Sequence, residues 1–394
     1  MKIHPRCVRP AGRRPISFLG AALALAFGTT GASAMTLTAD YHVPLTPENA
    51  IIGCFSATKK PVLTVAPGAI VQIDGGGGIR YQRPATAGAP AAIGVPSLTA
   101  EAVDAWLKDN AIATTVETNP ALQETLKVLQ ETPRAPGIPS GHLIVGPIYV
   151  EGAEPGDTLE VRILDVSPRI PYGSTGSSPG GGGLPDVTPR PFTKVIHLDL
   201  KRNAGVFDHD VEVPLAPFMG VMATCPADAE GPYRRSGPPG AFGGNLDCKW
   251  LSAGATLYLP VFQKGALFYT GDSHAGQGDG EVTGGAIETA DTCTLQFFLR
   301  KGEHLKMPRA ETATYYLTFG LDPDLNKAMH QAILETIDFL KEKQHYDFFD
   351  AYALTSIGVD FHVTQVVDKT NGIHGMIPKY LFPHDPNPYW YRPL

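Results

Sequence analysis

The chain has 394 residues, 43% hydrophobic and 18% charged, a globular composition with enough apolar material for a large core. A net charge of −7, with no basic block beyond the N-terminal segment, argues against a nucleic-acid surface, and no nucleic-acid partner is expected. Gly (43) and Pro (36) make up about a fifth of the chain, too many for a helical bundle and suited to short strands joined by turns.

The first segment reads as an address rather than as structure. Lys2, Arg6, Arg9, Arg13 and Arg14 form a basic front, residues 16–27 an apolar run, and Ala32-Ser33-Ala34 a small-residue cleavage pattern. Residues 1–34 are therefore expected to be a signal peptide, cleaved after Ala34, leaving residues 35–394 as a periplasmic or secreted protein. Arg13-Arg14 leaves the twin-arginine route open beside the general one. No other stretch is apolar enough to span a bilayer, so no membrane contact is expected after removal. Cys54, Cys225, Cys248 and Cys293 remain; they contain no Cys-x-x-Cys pair, and one disulfide or none is expected.

Further along, Val62-Leu63-Thr64-Val65 and Ala69-Ile70-Val71-Gln72-Ile73 flank Pro67-Gly68 and read as two strands joined by a tight turn. Gly75-Gly76-Gly77-Gly78 lacks the Lys-Ser/Thr of a phosphate loop and reads as a flexible turn. Thr99 can cap a helix over residues 100–108, and residues 111–129 form a polar, partly helical insertion. In Thr158-Leu159-Glu160-Val161-Arg162-Ile163, apolar and polar residues alternate as on a half-buried strand. Residues 173–183 are Gly- and Ser-rich and read as a solvated linker or a mobile flap. Asp322-Pro323 opens the strongest helix, in which Leu325, Met329, Ala332, Ile333, Thr336, Ile337 and Leu340 make one apolar stripe. A short helix over residues 348–357 and a strand over residues 359–367 follow. The fold class expected is mainly β (α+β), with barrel-like or jelly-roll-like sheets and a few peripheral helices, in one β-rich region or two intertwined sub-domains.

Residues 271–288, Gly-Asp-Ser-His-Ala-Gly-Gln-Gly-Asp-Gly-Glu-Val-Thr-Gly-Gly-Ala-Ile-Glu, concentrate the chemistry. They follow the apolar run of residues 257–269, so a strand would hold them on a rigid support. In extended chain Asp272 and His274 share a face, as do Asp279 and Glu281, and Gly276-Gln277-Gly278 would let one pair fold onto the other. A solvated turn has a similar composition. The functional reading gains from a second cluster, residues 141–157, which holds His142, Glu151, Glu154 and Asp157.

Within that second cluster, Gly146-Pro147-Ile148-Tyr149-Val150-Glu151-Gly152-Ala153-Glu154-Pro155-Gly156-Asp157 resembles the GPxxVEGAEPGD signature of the acetamidase/formamidase family. Gly243-Gly244-Asn245-Leu246-Asp247, Gly265-Ala266-Leu267-Phe268 and residues 271–288, similar to the family's GDxHAAQGDGEV, follow in the same order. The resemblance runs from about Tyr41 to the C-terminus. It implies a mainly β fold and hydrolysis of small linear amides to ammonia and a carboxylate. The chain departs from the pattern at Gly276, and at Asp247-Cys248-Lys249-Trp250, where the family more often has an apolar residue followed by Arg-Asp.

An amide hydrolase must sharpen a nucleophile, stabilise an oxyanion and protonate a poor leaving group. Gly271-Asp272-Ser273-His274-Ala275 fails the Gly-x-Ser-x-Gly pattern at its last position, residues 173–183 lack the lysine context of a Ser-Ser-Lys amidase, and Cys248 is the one thiol with charged neighbours. Water activated by a carboxylate or a divalent metal remains. Asp272, His274, Asp279, Glu281 and His142 offer mixed N/O ligands, for which zinc is the first expectation. Glu151 or Glu281 is expected as general base, His274 as ligand or proton donor, and Asn245 as oxyanion donor. The partner expected is a small amide, with a homo-oligomer as the assembly; the alternative is a non-catalytic amide- or metal-binding protein on the same scaffold.

Overall fold

The computed structural model describes residues 38–82 and 94–385. The expected signal peptide lies outside them. Strands dominate, in the mainly β, α+β arrangement expected. The largest sheet has nine strands, in the order Tyr41–Val43, Ile70–Asp74, Asp291–Arg300, Thr158–Pro168, Thr256–Pro260, Arg309–Glu311, Tyr315–Asp322, Asn371–Pro378 and Asp360–Gln365. A six-stranded sheet runs Gly243–Asn245, Phe218–Ala223, Phe268–His274, Leu143–Val150 and Ala50–Ile52, with Leu63–Val65 added parallel to Leu143–Val150. Four strands, Glu212–Pro214, Ala204–Val206, Phe192–Asp199 and Tyr172–Ser177, form a third sheet. Both large sheets are open, and no closed barrel forms among the described residues.

The two large sheets share one core, because each strand's alternation points its apolar residues inward. Leu159, Val161, Leu257 and Phe297 from the nine-stranded sheet meet Ile148, Val150, Met222 and Phe268 from the six-stranded one. Phe268 and Phe297 touch edge to face with centroids 5.0 Å apart. Burying side chains of this size contributes about 1.5–3 kcal/mol each. On the opposite face of Thr158–Pro168, Glu160 is enclosed but held by Arg162 at 2.7 Å and Arg300 at 2.8 Å.

The hairpin expected over residues 62–73 does not form. Gly68, at φ 96°, hands the chain from one sheet to the other instead. Leu63–Val65 pairs with Leu143–Val150, and Ile70–Asp74 with Asp291–Arg300, so each short strand takes a longer partner than its neighbour. The apolar run of residues 257–269 is likewise divided, Thr256–Pro260 entering one sheet and Phe268–His274 the other. Residues 173–183 are not all linker, since Tyr172–Ser177 is a strand paired with Phe192–Asp199.

Helices cover the edges. Thr99 Oγ1 accepts the Ala102 N–H at the start of Ala100–Asp109, as expected, and Asn119 caps Pro120–Glu131 through the Leu122 N–H. Val103, Leu107, Leu122 and Leu126 pack with Ile79 and Tyr172. The long helix Leu325–Gln344 starts two residues later than Asp322-Pro323 suggests: Asp322 still belongs to the strand Tyr315–Asp322, and Asp324 Oδ1 accepts the Asn326 N–H. Among the described residues no helix is long and apolar enough to cross a membrane. The four cysteines from Cys54 onward are free and buried, so the expectation of one disulfide or none resolves to none among the described residues.

Candidate active site

The strand Phe268–His274 lies inside the six-stranded sheet, between Leu143–Val150 and Phe218–Ala223, and ends on Asp272 and His274. His274 is wholly buried, pressed edge to face on the Phe218 ring at 5.1 Å. Its Nε2 lies 3.5 Å from Asp272 Oδ2 and 3.3 Å from Glu288 Oε1. His142, one residue before Leu143–Val150, places Nε2 3.9 Å from Asp272 Oδ2. On the other flank, Gly243–Asn245 leads to Asp247, whose Oδ2 accepts from Asn245 Nδ2 at 2.5 Å. Glu288 is fixed by paired backbone bonds with Ser174 at 2.9 and 3.0 Å, and its Oε1 accepts the Ala286 N–H. Glu281 and Asp368 complete the group: donor atoms of Asp247, Glu281 and Asp368 lie within 4.8 Å of one another, as do those of His274, Glu281 and Glu288.

Three carriers of these carboxylates have left-handed backbones: Asp247 at φ 49°, Asp272 at 58° and Glu281 at 44°. Such conformations cost a non-glycine residue about 1–3 kcal/mol each and persist only where the surroundings enforce them. Asp272 and Glu281 line one cavity of about 340 Å³, and Asp247 has a carboxylate oxygen within 4.8 Å of a donor atom of each. His142, Asn245, Asp272, Glu281, Glu288 and Asp368 line it, together with Gly76, Gly77, Ile79, Thr125 and Leu129. The glycine strip, expected as a flexible turn, is thus a packed wall. A Cβ on Gly77 would lie 1.8 Å from the Thr289 carbonyl oxygen, so no side chain fits there.

The electrostatics follow from crowding acids out of water. Burial, reinforced by Glu281 and Asp368, drives Asp247 well above the usual carboxylate range, and burial with Asp368 does the same to Glu281. Burial also raises Asp368 and lifts Asp291, enclosed behind the cluster, to about 8. Asp272 differs: burial opposes its charge, but His142 and His274 outweigh burial and hold it below the ordinary range. Burial disfavours the His274 imidazolium, yet Glu288 and Asp272 raise its pKa well above the usual value. The cluster as a whole calls for positive charge. Both His274 ring nitrogens, Asp247 Oδ1, Asp368 Oδ2 and His142 Nδ1 are enclosed without a hydrogen-bond partner among the described residues. Apart from His142, Arg80 is the one basic side chain among the described residues lining the cavity. Mixed carboxylate and imidazole donors with unused lone pairs fit a divalent ion, and Asp247, Asp272 and His274 have donor atoms within 4.8 Å of one another.

Of the residues expected from sequence, His142, Asn245, Asp272, His274 and Glu281 come together. Glu151 does not join them. It is exposed in the turn after Leu143–Val150, beyond the end where Ile148 pairs with Phe268, whereas His274 lies at the opposite end of Phe268–His274. Six residues at ~3.3 Å each put about 20 Å between those ends. Glu154 is also exposed and pairs with Lys264.

Asp279 is drawn elsewhere too. Gly280 (φ 96°) and Glu281 break the extended alternation, so the two acids part. Asp279 Oδ2 lies 3.0 Å from Lys249 Nζ and 3.3 Å from His362 Nδ1, at the edge of the nine-stranded sheet. Asp247, Glu288, Asp368 and Asp291 complete the site without having been singled out as ligands. Asp247 closes a Gly-Gly-Asn-Leu-Asp word and Glu288 ends the acidic loop, whereas Asp368 and Asp291 carry no local signal. Cys248 is buried outside the cavity lining, its thiol pushed up to about 12 by burial, which removes the cysteine mechanism.

Comparison with known proteins agrees with this architecture. The profile of the Acetamidase/Formamidase family matches residues 129–230 and 229–384. The chain is 31% identical over 324 residues to a formamidase of Methylophilus methylotrophus, covering 63% of this chain and 78% of that protein. It is 31% identical over 220 residues to an acetamidase of Mycolicibacterium smegmatis, covering 41% and 54% respectively. The crystal structure of an acetamidase from Bacillus halodurans superposes with a TM-score of 0.67 at 26% identity, covering 86% of this chain and 99% of that one. The chain belongs to the acetamidase/formamidase family.

Proposed function

We propose that this chain is an exported hydrolase that cleaves the carbon–nitrogen bond of small linear amides, releasing ammonia and a carboxylate, with the cavity beside His274 as its active site. Export rests on the basic, apolar and Ala-Ser-Ala succession of residues 1–34. The observation that carries the reaction is the clustering of Asp247 and His274 with Asp272, Glu281 and Glu288, the last three of which line one cavity, in a chain of this family.

The residues divide the work as follows. Glu281 lines the cavity with a pKa raised by burial, which makes its carboxylate a stronger base than a solvated one. It takes a proton from water as the water oxygen adds to the amide carbon, and returns that proton to the departing nitrogen as the C–N bond breaks. Asn245 lines the cavity and gives one N–H of its amide to Asp247; its amide group is the oxyanion donor. Asp247, Asp272 and His274 would hold a divalent ion, with the Glu288 carboxylate beside the same ring nitrogen. Such an ion, when bound, supplies Lewis-acid polarisation of the amide oxygen and a lower pKa for a water. Asp272, held ionised by the two histidines, keeps negative charge ready for a cation over the whole neutral range.

Ammonia release from formamide, acetamide and propionamide, measured with the purified chain supplied in turn with zinc, manganese and nickel, tests the reading. Turnover that disappears in Asp272→Asn is expected. Intact amides under every condition would replace the enzyme with a binding protein.

A further inference from the structure

The loop after Phe268–His274 serves two places at once. Glu281 enters the cavity, while Asp279, two residues earlier, reaches the outer edge of the nine-stranded sheet. Backbone bonds from the Gly280 N–H to the Thr364 carbonyl (3.0 Å) and from the Val366 N–H to the Gly280 carbonyl (3.2 Å) lay the loop along the edge strand Asp360–Gln365. In that strand His362 stands directly opposite His374 of Asn371–Pro378, and the two rings stack 5.4 Å apart at 16°.

We infer that Asp279, His362 and His374 form a second divalent-cation site, of zinc type, separate from the cluster around His274. One donor atom from each of the three lies within 4.8 Å of the other two. His374 is wholly buried. Its Nδ1 is taken by Thr364 Oγ1 at 2.8 Å, whereas Nε2 is enclosed with no hydrogen-bond partner among the described residues. An enclosed ring nitrogen left unused is destabilising, and a cation would remove that cost. Two imidazoles and a carboxylate are a zinc donor set, and a hydroxyl on the far nitrogen is how ligating histidines are commonly oriented.

Lys249 is the competing explanation, since its ammonium lies 3.0 Å from Asp279 Oδ2. It accounts for the carboxylate but not for His374 Nε2. Lys249 is a third exposed and can withdraw to solvent, so its ammonium marks where positive charge is wanted. An ion here would clip the loop to the sheet edge and steady the left-handed backbone of Glu281.

Zinc titration of the chelator-stripped full chain by calorimetry, with cobalt(II) absorption as a second readout, tests the inference. His362→Ala should lower zinc uptake by one equivalent; His362 is 41% exposed, so its truncation leaves the core intact. A chain carrying Asp272→Asn and Glu288→Gln, which weaken the His274 cluster, should keep one equivalent and lose it on adding His362→Ala. Lys249→Met should tighten that equivalent by about tenfold, the effect of about 1.4 kcal/mol. Zinc uptake by His362→Ala unchanged in both stoichiometry and affinity would overturn the inference, as would an Asp272→Asn/Glu288→Gln chain that takes up none.

Discussion

A methyl group placed on Gly220 would lie 2.7 Å from Asp247 Oδ1, and 2.9 Å from both Asp272 Oδ2 and His274 Cε1. The strand Phe218–Ala223 therefore needs a bare Cα where three site residues close over it. Its neighbours in sequence, Met219 and Val221, are ordinary buried strand residues. Gly220→Ala should fold, since overpacking costs about 1–3 kcal/mol and the strand accepts alanine. Because the displaced atoms are those of the cluster, kcat/KM should fall by about 100-fold, in line with the sensitivity of catalysis to ~1 Å misplacement. Melting curves and amide turnover measured together check this, and turnover within twofold of wild type would show that the cluster is not the reaction centre.

Glu281→Gln keeps the shape of the side chain and removes its basicity. Loss of a general base lowers kcat by about 10²–10⁴-fold, with little change in KM if substrate contacts survive. The sign of the pH dependence follows from the raised pKa. Glu281 is protonated, and inactive as a base, up to a pH above the ordinary carboxylate range, so wild-type kcat should climb through that higher region. An acid limb at the ordinary carboxylate position would assign the base to another residue.

Glu151 provides the contrast. It belongs to the signature that pointed to the family, yet it stands exposed in a turn at the far end of its strand. Glu151→Gln should leave kcat/KM within twofold and stability within about 0.5 kcal/mol, as for an exposed substitution without partners. A loss beyond tenfold would require the turn to act on the site through the sheet.

That contrast shows what could be read from the chain alone. Asp272, His274, Glu281 and His142 were legible because glycine-rich words at strand ends are where a sheet presents side chains. The sheet core was legible from alternation, as at Leu159, Val161 and Ile163. Pairing was not: Leu63–Val65 and Ile70–Asp74 look like a hairpin locally, and only the longer partners elsewhere in the chain separate them. The Asp279–Glu281 spacing misled because sharing a face requires extended backbone, and Gly280 with Glu281 supplies a turn. Asp368 and Asp291 reach the site, or lie behind it, through tertiary structure alone. No local composition marks an acid whose neighbours come from a hundred residues away.

Asp291 is fully buried with neither carboxyl oxygen hydrogen-bonded among the described residues, and burial raises its pKa to about 8. Unfolding returns it to the ordinary value of about 4, so the folded protein binds the extra proton. A raised carboxyl contributes stability that is fully present below the unfolded pKa and is lost as pH rises towards the folded one. Between pH 4 and 8 this one group should erode stability by up to about 1.4 kcal/mol per unit. Asp291→Asn should remove that slope, leaving a flatter melting temperature from pH 5 to 8 than wild type. Parallel curves would mean that Asp291 is ionised in the folded protein and compensated by a bound cation.

The cavity has more room than the smallest amides require. Its volume of about 340 Å³ falls at the lower end of sites that enclose drug-sized ligands, whereas formamide has three heavy atoms. Part of the extra wall comes from Gly76, Gly77, Ile79 and Thr125, which precede the family match at residue 129. In the same lining, Leu129 and Ile79 offer an apolar surface on which an acyl chain can lie, each methylene gaining up to about 0.8 kcal/mol if fully buried. Catalytic efficiency should therefore rise from formamide through propionamide to butyramide. Leu129→Phe should cut into that space and lower the butyramide-to-formamide ratio of kcat/KM by at least about tenfold, within the 1–3 kcal/mol range for a hydrophobic pocket that loses or gains a methylene. A ratio unmoved by Leu129→Phe would place the acyl group elsewhere, and efficiency falling steadily from formamide onward would mean that the cavity is filled by something other than substrate during turnover.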